Sequence, residues 1–242
     1  SWDVVAGGMF DDMWREGVHV IRPFAIPKTW RIDRSFDWGS SHPFSVGWWA
    51  ESDGSEVETS TGKRTFPRGT LFRIAEWYGW NGNPNEGCRM LAKDIAKGIL
   101  EREAEMGLPP KRVDPGPADT SIFDEENGVC IATDMENVGV KWTRANKSPG
   151  SRKQGWEKLR SLLTASMQKP MEDPGLFVFS TCRQFIRTVP VLPRSDRDPD
   201  DVDTAAEDHV ADEVRYRVLA PPLPIIARVK PASGPIASVY TY

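Results

Sequence analysis

Five aspartates are the residues of this sequence whose types and spacing could do chemistry. Asp37 closes the run TWRIDRSFD and is followed by Trp-Gly-Ser-Ser, Asp114 and Asp119 bracket Pro-Gly-Pro-Ala, and Asp208 and Asp212 stand four apart in EDHVADEVRY. Asp is depleted in strands and common in turns, so Asp37 taken alone reads as the start of a turn. Spacing of four on a helix puts Asp208 and Asp212 on one face. Acids at strand ends and on a helix face can converge, because the carboxyl ends of strands in such sheets host ligands. Converging carboxylates repel one another and are stable only with a cation or shared protons. Oxygen donors without a Cys pair or a His cluster suit Mg2+ or Mn2+ rather than zinc. Two such ions about 4 Å apart can activate a water and stabilise a leaving oxygen in phosphodiester cleavage.

The elements that must position these acids follow from the apolar pattern. Residues 29–37 alternate Trp30 and Ile32 with polar residues and read as a strand, with further strands at 43–52 and 70–80. Their short connections predict an antiparallel meander, with the polar stretch DGSEVETSTGKRTFPRG as a hairpin excursion. A helix is expected over 85–107, from Met90, Leu91, Ile95, Ile99 and Leu100, ending at Gly107 with prolines beyond. Val113 reads as a short buried strand, followed by a helix around 121–137, a strand at 139–145 and a helix at 150–168 with Ser151 as its cap. The apolar run 175–181 suits a buried parallel strand, and helices follow from Cys182 to Pro190 and over 205–220. The sum is one α/β domain with a mixed central sheet flanked by helices. Asp37 then ends the first strand, Asp114 and Asp119 flank the exit of the fourth, and Asp212 rides on the last helix.

Composition bounds the rest. The chain has 242 residues, a net charge of -4 and 39% hydrophobic residues, and no apolar run long enough for a membrane span. Cys88, Cys130 and Cys182 are odd in number and unpaired in spacing, which argues against a zinc ribbon or a disulfide framework and predicts core roles. Charge is segregated: Lys141 to Lys169 carries eight Lys/Arg against Glu157 alone, while Asp196 to Glu213 carries nine acids against Arg197 alone. Such segments suit a phosphate-contacting and a metal-binding surface respectively. The pairs Trp48-Trp49 and Trp77 to Trp80 read as core and sheet packing rather than base-stacking platforms.

Taken in order, RSFDWGSSHPFSVGWWA, DPGPADTSIFDEENG, KSPGSRKQGW and EDHVADEVRY resemble the C-terminal nuclease domain of tailed-bacteriophage large terminase subunits, over roughly residues 29–220. The resemblance implies a ribonuclease H-like fold and hydrolysis of double-stranded DNA with two Mg2+ or Mn2+ ions. Carried across, Asp37 bridges both ions, Asp212 holds one, and Asp119 holds the other, with Asp114 the alternative. Asp208 is a further alternate ligand, and His209 either supports a ligand from behind or is a plain surface or cap histidine. Lys147, Arg152, Lys153, Lys158 and Arg160 are expected to contact phosphates, since a basic helix beside the site neutralises backbone charge. The expected organisation is a connector over 1–27 from an ATPase domain, a nuclease domain over 28–220 and an irregular Pro-rich tail over 221–242. The chain begins Ser-Trp-Asp without Met, as a piece of something longer would, and no Gly-x-x-x-x-Gly-Lys-[Ser/Thr] occurs. The implied partners are DNA, the terminase ATPase domain, the small terminase subunit and the portal; the implied location is the host bacterial cytoplasm, with no membrane. Asp37-Trp38-Gly39-Ser40 also resembles the phosphate loop of actin-like ATPases and sugar kinases, but a second such loop is missing. The same residues leave room for a non-catalytic DNA- or portal-docking module, or for a junction resolvase.

Overall fold

The architecture comes from a computed structural model in which residues 7–222 are described. A short helix, α1 (Glu16–His19), leads into the two-residue strand β1 (Val20–Ile21). The meander follows as β2 (Arg31–Asp37), β3 (Ser45–Glu51) and, past the separate hairpin β4 (Glu56–Thr59) and β5 (Gly62–Thr65), β6 (Leu71–Tyr78). Then come α2 (Ala92–Glu105), β7 (Val113–Asp114), β8 (Pro117–Ala118), a 3-10 turn over Thr120–Phe123, α3 (Ile131–Val138) and β9 (Thr143–Arg144). The chain continues through α4 (Ser151–Ser166), β10 (Leu176–Phe179), α5 (Arg183–Thr188) and α6 (His209–Val218).

The sheet runs β1-β10-β6-β3-β2-β8-β9, with β7 also paired to β2. β3 is antiparallel to β2 and β6, whereas β7 and β8 run parallel to β2, and β10 runs parallel to β6. The sheet is therefore mixed, as expected. β2 and β8 share a direction, so their carboxyl ends open at the same edge.

Two apolar layers clamp this sheet. Trp48 and Trp49 are consecutive and fully buried, so the two-residue period of a strand sends them to opposite faces. Trp48 packs with Phe36, Phe44, Ile95, Ile99 and Met135 under α2 and α3. Trp49 belongs to the layer of Phe72, Phe177, Leu159 and Val214 under α4 and α6. The tryptophan pair is thus packing, as its sequence context suggested.

Several elements are shorter than the sequence pattern predicts. The helix expected from 85 begins only at Ala92, because Asn85 (φ 62°) and Arg89 (φ 58°) are left-handed. The helix expected around 121–137 is split by a turn at Asn127 (φ 55°) and Gly128 (φ 79°). The strand expected at 139–145 shrinks to Thr143–Arg144, because Val140 and Trp142 are drawn into the core around Met135. Gly150, not Ser151, caps α4, and the last helix starts at His209 rather than 205. The described part of the lead-in packs onto the domain: β1 pairs with β10, and Phe10 packs edge-on against Trp156, with ring centroids 6.2 Å apart. Cys182 is buried, while Cys88 and Cys130 are half-buried and pack against the margin of the core under α2 and α3. Among the described residues no helix is long and apolar enough to cross a membrane. Of the expected irregular tail, residues 223–242 lie outside the described part of the chain.

Candidate active site

The site is built from three places in the chain. Asp37 is the last residue of β2. The turn behind it needs Gly39, where any Cβ would overlap the carbonyl oxygens of His42 and Pro43. Asp119 follows β8 directly, and its N–H donates to the carbonyl of Phe36 at 3.0 Å, which sets it beside the end of β2. That approach requires Gly116, because a side chain there would run into the backbone of Arg34. Asp212 lies in the first turn of α6, and Asp208 precedes that helix.

α6 crosses β2 on one face. Alternate residues of the strand, Asp33, Ser35 and Asp37, all point to it and meet Arg217, Glu213 and Tyr216 respectively. The Tyr216 hydroxyl donates to Asp37 Oδ1 at 3.1 Å, and His209 Nδ1 lies 3.7 Å from Asp37 Oδ2. Lys147 Nζ reaches Asp119 Oδ1 at 3.1 Å and the Tyr216 oxygen at 3.2 Å, so it links the two strand-end acids. On the other side Arg152 gathers acids, with Nε 2.7 Å from Asp201 Oδ1 and Nη1 3.2 Å from Asp212 Oδ1. Its Nη2 is buried without a hydrogen-bond partner and lies 3.6 Å from Asp208 Oδ2.

The electrostatics single out Asp37. Burial pushes its carboxyl up to about 7; the nearby His209 works against this, while the charges of Asp212 and Asp119 add to it. Burial and the Asp212 charge push Asp208 up to about 6. Asp119 goes the other way: burial raises it, but the Ser121 hydroxyl and Lys147 hold it below the usual carboxylate range. Burial and the charges of Asp37, Asp212 and Asp119 push the Tyr216 hydroxyl up, so it stays a donor. Burial lowers His209, but Asp37, Asp208 and Asp212 raise it further, for a net upward shift. Among the described residues, no three His, Cys, Asp or Glu side chains already form a metal cage. The acids instead share their charge with Lys147, Arg152 and Arg215.

The structure brings together Asp37, Asp119, Asp208, His209 and Asp212, and leaves Asp114 out. Asp114 is in register with Asp33, four residues before Asp37 and so about 13 Å back along the strand. Its exposed side chain lies 3.5 Å from Arg31. Of the expected phosphate contacts, Lys147 and Arg152 turn inward onto carboxylates, and Lys153 pairs with Asp198 at 2.6 Å. Arg160 pairs with Asp12 at 2.9 Å, carried away from the site by the rise of α4. Lys158 is exposed and lines a cavity with Glu51, Leu71 and Arg217, at the opposite end of β2 from Asp37. Of the eight bases of the basic segment, Arg152 and Lys153 thus pair with the acidic segment, on Asp201, Asp212 and Asp198. Sequence reasoning missed Tyr216, although its spacing of four from Asp212 in one helix was the available signal. It also missed Asn85, whose side-chain oxygen lies 2.6 Å from His209 Nε2.

No family profile and no curated protein matches the chain. Solved structures do. The large terminase of a thermophilic bacteriophage superposes with a TM-score of 0.61 at 16% identity, over 89% of this chain and 45% of that one. The P22 large terminase nuclease domain superposes with a TM-score of 0.60 at 16% identity, over 88% of this chain and 91% of that one. The large terminase nuclease of thermophilic phage G20c with bound cobalt gives 0.50 at 9% identity, over 88% and 96%. The chain therefore has a ribonuclease H-like fold. Within that class its fold is that of phage large-terminase nuclease domains, as the sequence resemblance implied. It spans under half the length of the first of these terminases and most of the P22 domain.

Proposed function

We propose that this chain is a divalent-metal-dependent endonuclease domain that hydrolyses double-stranded DNA during viral genome packaging. The observation that carries the reading is the convergence of Asp37, Asp119 and Asp212 at one sheet edge, with Asp37 buried and short of positive charge. A carboxylate in that position is ionised only beside a cation or gives up its charge to a proton. The donors are carboxylates, which suits Mg2+ or Mn2+. Asp37 would hold both ions, Asp119 one and Asp212 the other. When bound, the ions supply the positive charge that makes a water nucleophilic and steadies the leaving oxygen.

The chain's own residues prepare that chemistry. Tyr216 and His209 hold the two oxygens of Asp37 from opposite sides. Lys147 and Arg152 neutralise Asp119 and Asp212, so the acids stay together despite their repulsion. Arg152 is the counter-ion of the acid cluster on this reading and not a phosphate contact. Lys153 is paired with Asp198 at the surface, where such a pair is worth only about 0–1 kcal/mol and leaves the ammonium able to take a phosphate instead. The ATPase domain, the small terminase subunit and the portal are the partners the reading implies for the whole protein, in the cytoplasm of an infected host.

Supercoiled plasmid with Mn2+ or Mg2+ tests the assignment. The wild type is expected to nick and linearise it, and chelation to stop the reaction. Asp37→Ala is expected to lose activity by about 100- to 1,000-fold, the scale for removing one preorganised charged group. Equal degradation by wild type and Asp37→Ala would overturn the proposal.

A further inference from the structure

We infer that Asn85 is a positioning residue for the acid cluster, tethering His209 so that one ring nitrogen is kept on Asp37. The consequence for catalysis rests on the nuclease reading above; the tether itself does not.

Three contacts meet at Asn85. Its side-chain oxygen lies 2.6 Å from His209 Nε2, its N–H donates to Glu207 Oε1 at 3.2 Å, and its carbonyl lies 3.2 Å from His42 Nδ1. Glu207 is itself held, accepting from the Tyr78 hydroxyl at 2.7 Å and from both terminal nitrogens of Arg187 at 2.8 Å. The His42 ring stacks on the His209 ring, with centroids 5.6 Å apart and planes 27° from parallel. The loop is also fastened to the turn that follows Asp37, with Gly87 N–H on the Ser41 carbonyl and Arg89 N–H on the Ser40 carbonyl. His209 is thus gripped at its edge by Asn85, 124 residues away in sequence, and on one face by His42 from the turn that follows Asp37.

The chemistry of the grip determines the ring. An amide oxygen only accepts, so His209 Nε2 carries a hydrogen, and Nδ1 is the nitrogen left facing Asp37 Oδ2 at 3.7 Å. With the Tyr216 hydroxyl donating to Oδ1 at 3.1 Å, each oxygen of Asp37 then has a neighbour from α6. Such outer partners typically change activity or affinity about 10- to 100-fold when removed. Asn85 has φ 62°, a left-handed conformation that Asn, Asp and Gly tolerate and most residues resist. The position therefore admits two informative substitutions without backbone strain: Gly removes the acceptor, and Asp keeps it.

Two measurements on the same proteins test this. The first is a side-chain nitrogen correlation spectrum, simple to read because the chain has three histidines, His19, His42 and His209. His19 is buried elsewhere, with Nε2 2.7 Å from the Leu163 carbonyl, and serves as the folding control. The expected result is a wild-type His209 protonated at Nε2. Asn85→Gly should shift that signal while His19 stays put, and Asn85→Asp should restore it. The second is Mn2+-dependent plasmid cleavage. Asn85→Gly should lower kcat about 10-fold or more, with KM for DNA within about twofold, and Asn85→Asp should recover most of the loss. An unchanged His209 signal in Asn85→Gly overturns the tether. A changed signal with unchanged kcat, or an Asp variant no better than Gly, overturns the positioning role. Should the wild type cut no DNA, the nuclease reading fails by itself and the histidine spectrum still decides the tether.

Discussion

Asp33, Ser35 and Asp37 point from one face of β2 to the same helix, and their surroundings differ in one respect. Asp33 takes Arg217 Nε at 2.7 Å and Arg31 Nε at 3.1 Å. Ser35 donates to Glu213 at 2.5 Å, and Glu213 in turn takes Arg73 Nη2 at 2.7 Å and the Ser45 hydroxyl at 3.0 Å. Asp37 meets a hydroxyl, an imidazole and the field of other acids. The first two rungs are compensated and the third is in deficit. Burial alone does not separate them, since Glu213 is 0% exposed and Asp37 is 6% exposed. The missing Arg or Lys does: Asp37 has only the titratable His209 as a basic neighbour, which marks the end of the strand as the place where a ligand fits. Neighbours on α6 divide in the same way, with Glu213 locked into the core and Asp212 at the cluster.

That contrast can be broken from either side. The largest effect on stability is expected for Arg73→Met, which strands Glu213 in the core and should cost about 3–5 kcal/mol in urea unfolding. Adding Glu213→Leu should recover part of that loss, because it removes one of the two acids, Glu213 and Glu76, that Arg73 neutralises. An Arg73→Met protein as stable as wild type would mean that the inner rungs are not held by charge balance.

Asp37→Asn should do the reverse and stabilise the metal-free protein. The carboxyl of Asp37 is pushed up to about 7 in the fold from an ordinary 3.8, so the native state binds the extra proton between those values. Stability from this group is thus present below its unfolded value and lost as pH rises toward 7. Thermal melts in chelator should show no advantage for Asp37→Asn in acid and one of about 1–3 kcal/mol above neutrality. A constant gap across pH would show that Asp37 is not in charge deficit.

The smallest effect has the opposite sign. Arg187 and Tyr78 hold Glu207 down to about 2 against the burial that would raise it. Its contribution is present above the ordinary value near 4.5 and lost as pH falls toward 2. Glu207→Gln should therefore cost up to about 1 kcal/mol at neutral pH and nothing in strong acid. A cost that persists at low pH would assign Glu207 a packing role instead.

Much of this was legible along the chain. The meander declared itself through alternation in TWRIDRSFD and PFSVGWWAES, and α2 through Ile95 and Ile99. Asp37 and Asp212 stood out because one ends a strand and the other shares a helix face with Asp208. The choice between Asp119 and Asp114 was not legible. Both flank the same Pro-Gly-Pro turn, and only the pairing of Phe36 with Ala118 and of Asp33 with Asp114 separates them. The basic run before and along α4 was legible as charge and misread as to its partners. Composition cannot show that Arg152 is captured by Asp201 and Asp212, some 50 and 60 residues later.

By itself the sequence determined the periodicities, and with them which elements form and which residues face a core, since these depend on neighbours three or four positions apart on a helix and two apart on a strand. It also determined the supply of acids and the glycines that let backbones touch. Which acid stands beside which base was decided only by the tertiary structure, because electrostatic partners are set by distance in space, and α6 had to cross β2 before Asp37 could lack what Asp33 has.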